Sequence, residues 1–402
     1  MRRMGFASIC SFVQIGFLVL SVPGADFWQQ RASYNTRAQY STVFTGTEVI
    51  VWGGTAAYPD YDGTRGEGGI YNLANDTWRP TSRINCPMER YLHSAVWTGR
   101  EMIVWGGTPT ADLRDGYKYD PVNDTWTPIS MAGAPPLRWN HRAVWTGREM
   151  IVWGGEGSPD GNWIYGRSDG GRYDPETDTW LPLAPCPLQG RTEHSAIWTG
   201  SEMIIFGGYR IDQASLNEWR WTNFGDGARY NPVNDSWTVI TSVGEPAPRS
   251  QHTAVWTGSE MIIWGGGIGA GTRPLLTLVA GGASYDPESD SWKELSTKGM
   301  PESRIFHTAV WTGEEMIVWG GSTDSDVTWL NTGGRYNPVN KKWRPTRFEG
   351  APEPLLLERA ETGVWTGEAL FLHAPTYTYG QFSSNFTWLY YPEKPRGGPR
   401  HH

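Results

Sequence analysis

Short apolar runs recur in pairs along the chain. In each pair, a four-residue run such as Ser94–Trp97 leads into Thr-Gly and two further residues, and a second run such as Met102–Trp105 follows and ends at Gly-Gly. Apolar residues at consecutive positions predict strands that are buried on both faces. A third strand centred on Tyr119, an Asp-Pro turn and a fourth strand carrying Trp126 complete the unit. The pattern therefore predicts a four-stranded antiparallel sheet in each unit.

This unit occurs seven times in the sequence. The aromatic residue before Thr-Gly recurs at intervals of 53, 48, 53, 58, 55 and 54 residues. The repeat cores span 37–78, 90–126, 138–180, 191–237, 249–292, 304–343 and, in a degraded copy, 358–392. Self-similarity at such a period is typical of propellers and other repeat architectures.

The repeats predict an all-β protein, a seven-bladed β-propeller of four-stranded antiparallel blades, with a six-bladed ring as the alternative. The seventh copy has no Trp after its third strand, whereas Asp26-Phe27-Trp28 stands before the first copy. We therefore expect Phe27–Arg31 (within 26–31) to supply the outer strand of the seventh blade. Such a clasp would join the two chain ends and leave no open sheet edge in the ring.

The units resemble the kelch repeat. The resemblance rests on an arginine and a histidine before the first strand, the Gly-Gly pair, and a spaced Tyr and Trp. It covers nearly all of the chain and implies a single kelch-type propeller over 25–395, with 396–402 as a flexible tail. Kelch propellers include scaffolds, adaptors and a few enzymes, so the resemblance indicates the fold and leaves the function open.

Composition and charge narrow the expected partners and location. The 402 residues include 50 Gly and 24 Trp and carry a net charge of −8 without a basic run, so we expect no nucleic-acid partner. Arg2 and Arg3, an apolar run over 9–20 and small residues at 22–25 predict a signal peptide over 1–24. We expect an exported monomer, periplasmic or extracellular, with no membrane insertion after cleavage. No phosphate loop or zinc spacing occurs in the sequence, so we expect neither cofactor nor metal.

An arginine lies seven residues before the anchor aromatic in six copies, and a histidine follows it by three residues in five of them. Both lie on connections that share one end of the propeller with the variable loops after Gly-Gly. They could be repeat residues that bond loop carbonyls, or a ring of positive donors suited to a carboxylate or sulfate. The candidate ligand-binding arginines are Arg37, Arg90, Arg138, Arg191, Arg249 and Arg304.

The seventh copy breaks this pattern. Glu358 stands where arginine is expected and Glu361 where histidine is expected, and Tyr40 replaces histidine in the first copy, which is next to the seventh around the ring. One interpretation is drift of a terminal blade, and the other is a functional site. Glu358 and Glu361 are then weak candidates for an acid/base pair beside the arginines.

Six tryptophans fall outside the repeat positions, in or at the edge of segments assigned to the variable loops: Trp139, Trp163, Trp219, Trp221, Trp329 and Trp388. Exposed aromatic residues can stack on sugars or bury a partner's side chains, whereas the alternative is that they pack the loops onto the blades. We expect a non-catalytic binding scaffold for a glycan or a protein. The alternative is a sugar epimerase (mutarotase-like) that uses Glu358 and Glu361.

Overall fold

A computed structural model describes residues 25–35, 37–55, 66–108, 115–157, 164–215, 218–270, 275–323, 328–354, 363–378 and 381–393. Over these residues the regular elements are β-strands, of which 28 form seven four-stranded antiparallel blades around a central axis. The predicted seven-bladed propeller is therefore confirmed. The proposed signal peptide and the tail lie outside the described residues.

The first four blades are contiguous in sequence. Blade one contains β2 (Ser41–Phe44), β3 (Glu48–Trp52), β4 (Gly68–Asn72) and β5 (Thr77–Pro80). Blade two contains β6 (Ser94–Trp97), β7 (Met102–Trp105), β8 (Gly116–Asp120) and β9 (Thr125–Pro128). Blade three contains β10 (Arg142–Trp145), β11 (Met150–Trp153), β14 (Gly170–Asp174) and β15 (Thr179–Pro182). Blade four contains β16 (Ser195–Trp198), β17 (Met203–Phe206), β20 (Gly227–Asn231) and β21 (Ser236–Val239).

The remaining blades complete the ring. Blade five contains β22 (Thr253–Trp256), β23 (Met261–Trp264), β26 (Gly282–Asp286) and β27 (Ser291–Glu294). Blade six contains β28 (Thr308–Trp311), β29 (Met316–Trp319), β30 (Gly333–Asn337) and β31 (Lys342–Pro345). Blade seven contains β32 (Val364–Trp365), β33 (Leu370–Thr378), β34 (Gln381–Tyr391) and, as its outer strand, β1 (Phe27–Arg31).

The chain ends meet in blade seven. Strand β1 runs antiparallel to β34, with Phe27 opposite Tyr391 and Arg31 opposite Thr387. Because this pairing covers the outer edge of blade seven, the predicted clasp over Phe27–Arg31 is confirmed.

Each outer-strand tryptophan bonds the preceding blade. Trp237 Nε1 donates to the Ala184 carbonyl at 2.9 Å, and Trp28 Nε1 makes the same bond to the Arg347 carbonyl at 2.8 Å. The equivalent donors in the other blades are Trp78, Trp126, Trp180, Trp292 and Trp343. The seventh bond, made by the N-terminal strand, completes a circle of identical blade-to-blade contacts.

The hydrophobic core lies between the blades, because successive apolar residues of each second strand face opposite neighbours. In blade two, Met102 and Val104 pack against blade one, while Ile103 and Trp105 pack against blade three. The tryptophans that precede Gly-Gly are the largest buried side chains: Trp52, Trp105, Trp153, Trp264 and Trp319. Burying apolar surface on both faces of every blade is what stabilises the ring.

The two ends of the propeller differ. One end, the short-turn face, carries the Thr-Gly turns and the Asp-Pro type turns. The opposite end, the variable-loop face, carries two further sheets: a four-stranded sheet of β12 (Glu156–Gly157), β13 (Ile164–Tyr165), β18 (Tyr209–Ser215) and β19 (Glu218–Asn223), and a hairpin of β24 (Gly267–Ala270) and β25 (Leu275–Leu278). We call these six strands the crown. The sequence predicted loops there, and the structure adds paired strands.

Candidate functional site

The six repeat arginines lie inside the scaffold. Arg249 is 2% exposed, and its guanidinium donates to the carbonyls of Ala247, Gly265 and Gly281, each at 3.0 Å. In each of the six, Nε bonds the carbonyl two residues earlier, and Nη1 bonds the carbonyl of the first glycine of Gly-Gly: Arg37, Arg90, Arg138, Arg191, Arg249 and Arg304. The interpretation as repeat residues that bond carbonyls accounts for this geometry. A further role in ligand binding stays a prediction.

Burial changes the electrostatics of three of these arginines without removing their charge. It lowers the pKa of Arg138, Arg249 and Arg304 to about 10, and the Asp169 carboxylate partly offsets this effect at Arg138. The Arg138 Nη2 lies 2.8 Å from Asp169 Oδ2. These three guanidinium groups therefore remain cationic at neutral pH while they donate to backbone carbonyls.

The repeat histidines join neighbouring blades around the inner ring. His252 Nε2 lies 2.9 Å from Ser195 Oγ, and His307 Nε2 lies 2.8 Å from Thr253 Oγ1. Burial depresses the pKa of both imidazoles, that of His307 to about 3. These histidines are neutral hydrogen-bonding partners, and no group of three or more His, Cys, Asp or Glu suited to a metal occurs in the part of the chain that the structure describes.

One blade departs from this pattern. Blade three has Arg142 where neighbouring blades have a serine or threonine, and Arg142 Nε donates to the His194 carbonyl at 2.7 Å. A cavity of about 250 Å³ lies beside it, with Ser195, Thr253 and Gly363 also in its wall. The inner ring thus carries a cation and hydroxyl groups next to an open space along the propeller axis.

The contact between blades seven and one uses different residues. Tyr40 takes the position of the repeat histidine in blade one, is 2% exposed, and donates its hydroxyl to the His373 carbonyl of blade seven. Burial raises the pKa of Tyr40, so this phenol remains protonated. Tyr40 thus bonds the backbone inside the blade junction. Glu358 and Glu361 lie outside the described residues, and no described contact bears on the epimerase alternative.

The six non-repeat tryptophans do not form one exposed group. Trp139 is 8% exposed and Trp329 is half-buried. Trp221, on β19, packs against Tyr209 with ring centroids 4.7 Å apart and the ring planes tilted by 37°. Trp388 lies within β34 and packs against the cluster between blades six and seven, which places it inside a blade. Trp163 and the side chain of Trp219 lie outside the described residues.

A buried carboxyl group at the start of the crown was not predicted from the sequence. Glu156, the first residue of β12, is 7% exposed, and its carboxylate accepts hydrogen bonds from Asn140 Nδ2 at 3.1 Å and Thr192 Oγ1 at 3.0 Å. Trp139 Nε1 donates to the same group at 3.3 Å. Burial raises the pKa of this carboxyl, because its described partners are neutral. The available signal was an acidic residue directly after Gly-Gly, where other copies have Thr, Tyr, Gly or Ser.

Two other features bear on chemistry and location. Cys86 and Cys186 are both free thiols and lie in connections between different pairs of blades. Within the described ranges, no helix is long and apolar enough to cross a membrane.

Comparisons with known proteins agree with this architecture. Residues 39–266 and 193–394 match the KLHDC2/KLHL20/DRC7 Kelch-repeats domain. Human Kelch domain-containing protein 1 is 31% identical over 169 residues, which are 40% of this chain and 38% of that protein. Human Kelch domain-containing protein 3 is 35% identical over 97 residues, 23% of this chain and 24% of that protein.

A third relative shows that the repeats occur in larger proteins. Ras guanine nucleotide exchange factor F of Dictyostelium discoideum is 28% identical over 227 residues, 52% of this chain and 19% of that protein. The matched region thus spans less than two fifths of each of these three relatives. With the family match across most of the chain and seven blades of kelch pattern, the chain belongs to the kelch-repeat β-propeller family.

Proposed function

We propose that this propeller is a non-catalytic scaffold that binds a protein through its variable-loop face. Kelch-repeat propellers are typically protein-interaction scaffolds. The observation that carries the proposal is the crown, because the inserts of blades three, four and five form paired strands that project from one side of the ring. A preformed surface binds a partner with a smaller loss of conformational entropy than separate flexible loops would.

The crown is held together across blades. Tyr165 of β13 pairs with Ile211 of β18, which joins the blade-three insert to the blade-four insert. Asn223 at the end of β19 then bridges to blade five, because its side chain donates to the Gly269 carbonyl at 2.7 Å and accepts from the Gly269 N–H at 3.2 Å. These contacts support a single binding surface over three blades.

Of the two ligand classes expected from the sequence, a protein fits this face better than a glycan. A sugar-stacking surface needs exposed rings, whereas Trp139 is buried and Trp221 is covered on one side by Tyr209. Charged side chains remain at the crown surface, including Arg220, which is exposed, and the Arg210–Asp212 ion pair at 2.7 Å. Polar and charged groups around a few aromatic residues are typical of protein interfaces.

The test is site-specific crosslinking on the two faces. A photoreactive amino acid replaces Arg220 on the crown or, as the matched control, Val233 on the short-turn face, which is 93% exposed. We expect partner crosslinks from position 220 in an extract of the source organism, and loss of those crosslinks in a Trp221→Ala variant. Equal crosslinking from both faces, or crosslinking only from position 233, would refute the proposal.

We also propose that the protein is exported, which the Arg2 and Arg3 start, the apolar run over 9–20 and the small residues at 22–25 support. Expression of the full chain with fractionation and N-terminal sequencing tests this. Export predicts a mature N-terminus near residue 25, and a cytosolic chain that keeps Arg2 would contradict it.

A further inference from the structure

On the short-turn face, a basic side chain spans the seam between two neighbouring blades. The residue before the third-strand tyrosine reaches the Asp-Pro type turn of the next blade. Arg172 of blade three donates to the Pro232 carbonyl at 2.6 Å, and Arg229 of blade four donates to the Pro287 carbonyl at 2.7 Å. Each guanidinium also lies within 3.8 Å of a glutamate carboxylate of its own blade. We call the residue at this repeat position, directly before the third-strand tyrosine, the strap.

The seam between blades five and six lacks the strap and one further contact. Ser284 occupies the strap position of blade five, opposite Ile262 as Arg229 is opposite Ile204. In blade five, the turn aspartate Asp290 accepts from Tyr285 Oη at 2.6 Å and from the N–H of Thr241 in blade four at 3.1 Å. Blade six has Lys341 at that turn position. Two contacts that bridge the seam between blades four and five therefore have no counterpart at the seam between blades five and six.

A cleft of about 570 Å³ opens at this seam. The half-buried indole of Trp311 forms part of its wall, together with Glu260, Asn337 and Asn340. Glu260 also accepts a bond from Lys293 Nζ at 3.2 Å, and Lys293 is not among the lining residues. No Lys or Arg occurs among the described residues that line the cleft.

We propose that this cleft binds a neutral sugar ring. The apolar face of a pyranose stacks on an indole, and its hydroxyls both donate to carboxylates and accept from amides, which are the groups placed here. Because the lining supplies carboxylates and no cation, it disfavours an anion such as a uronate or a phosphate. The proposal is separate from protein binding by the crown, since it concerns the opposite face.

A second cleft on the same face has different chemistry. It measures about 710 Å³ between blades two and three, where Lys118 takes the strap position and lies 3.5 Å from the Pro175 carbonyl. Its lining includes Arg100 and Arg148 as well as Trp145. This second cleft is lined by cationic side chains close to acidic partners, so it is a poorer match for an uncharged ring. The proposal therefore concerns the cleft between blades five and six.

The test uses saturation-transfer NMR of the full chain with four uncharged probes, the methyl glycosides of glucose, galactose, mannose and N-acetylglucosamine, and with glucuronate as the anionic comparison. We expect transfer to at least one uncharged probe and at least tenfold weaker binding of glucuronate. Ser284→Arg should rebuild the strap towards Pro338 and abolish transfer without altering a lining side chain. Ser284→Ala is the matched control and should bind as the wild type does.

A second pair of variants keeps the test decisive if Ser284→Arg fails to fold. Trp311→Phe should weaken sugar binding at least threefold, whereas Trp256→Phe, at the equivalent position of the strapped seam between blades four and five, should leave it unchanged. Absence of transfer to all four probes, equal loss in both tryptophan variants, or unchanged binding in a folded Ser284→Arg would each overturn the proposal. Crown crosslinking from position 220 should persist in Ser284→Arg, so failure of either proposal is distinguishable from failure of the other.

Discussion

Blade seven and blade four are both four-stranded antiparallel sheets, but their strands come from the chain in different ways. Blade four is contiguous from β16 to β21, whereas blade seven takes β32 to β34 from the C-terminal region and β1 from the N-terminal region. Trp237 and Trp28 nevertheless make the same bond to the preceding blade. A blade can therefore form even when its outer strand is far away in the sequence from its other three strands, provided that this strand carries the tryptophan that bonds the preceding blade.

The same two blades also differ at their inner strands. Blade four offers Ser195 Oγ to the histidine of blade five at 2.9 Å. Blade seven instead offers the backbone carbonyl of His373, which accepts from the Tyr40 hydroxyl of blade one. The contact between blades seven and one therefore departs from the repeat pattern, and blade seven also contains both ends of the propeller chain. We expect it to be where the ring opens first.

The largest effect is expected from removing the clasp. Deleting residues 26–31 exposes the edge of β34 and removes the buried Trp28, so the melting temperature should fall by about 10 °C or more. Calorimetry or circular dichroism measures this. As a control, a circular permutant that places residues 26–31 after residue 393 makes blade seven contiguous, and it should retain the wild-type melting temperature. A deletion variant that melts as the wild type does would contradict the closure argument.

A smaller effect is expected from the interior arginines that blades one to six share. Arg249→Met removes the guanidinium bonds to three carbonyls, of which only that of Gly281 keeps a described donor, the Gly265 N–H, so the free energy of unfolding should fall by about 3 kcal/mol. Arg148→Met is the exposed counterpart, since Arg148 is 75% exposed and pairs with Asp174 at 3.0 Å. It should cost less than about 1 kcal/mol. Denaturant titration of both variants checks the difference, and equal losses would show that the carbonyl bonds are not the source.

The buried histidines predict acid sensitivity. His307 and His373 have a folded-state pKa of about 3, below the unfolded value of 6.5. The unfolded chain therefore binds more protons as pH falls, so their stabilising contribution is complete above about pH 6.5 and is lost progressively towards pH 3. Each histidine contributes a slope of about 1.4 kcal/mol per pH unit in that window.

Denaturant titrations at pH 7.5, 5.5 and 4.5 measure this slope. His307→Gln keeps a hydrogen-bonding group near Thr253 and removes the titration, so its stability should depend less steeply on pH than that of the wild type. An unchanged slope would mean that His307 titrates in the folded state, against its burial.

The smallest effect on stability is expected from adding a strap to the seam between blades five and six. Ser284→Arg adds a seam-spanning bond and an ion pair near Glu260, so the melting temperature should rise by about 1–2 °C. Ser284→Ala should not raise it. A fall with Ser284→Arg would show that the seam between blades five and six cannot accept the strap that Arg229 makes one blade earlier.

Much of the fold was predictable because it depends on spacing. Seven blades were predicted from a period near 54 residues and from paired apolar runs, each followed by fixed turn residues. The clasp at Phe27–Arg31 was predicted because the seventh copy has no final tryptophan. The assignment of Trp28 to the seventh blade followed from the same count. These features can be recognised within short stretches of sequence, and most of them recur in successive copies of the repeat.

The candidate site was less predictable. A repeat of arginines is compatible with a charged channel mouth or with an internal scaffold, and the sequence left both alternatives open. The structure places each guanidinium against the glycine carbonyls of its own blade, where folding brings together residues 16 positions apart. Glu156 and the strap are likewise defined by partners far away in the sequence, such as Thr192 and Pro232.

The sequence by itself determined the number of blades, the order of their strands and the way that the ring closes, because each follows from patterns within one repeat length. Only the tertiary structure decided which charged residues are buried, which inserts combine into the crown, and what chemistry lines the cleft at each seam. Those outcomes depend on contacts between neighbouring blades. Ser284 in place of an arginine, for example, removes the strap from blade five without altering the repeat pattern.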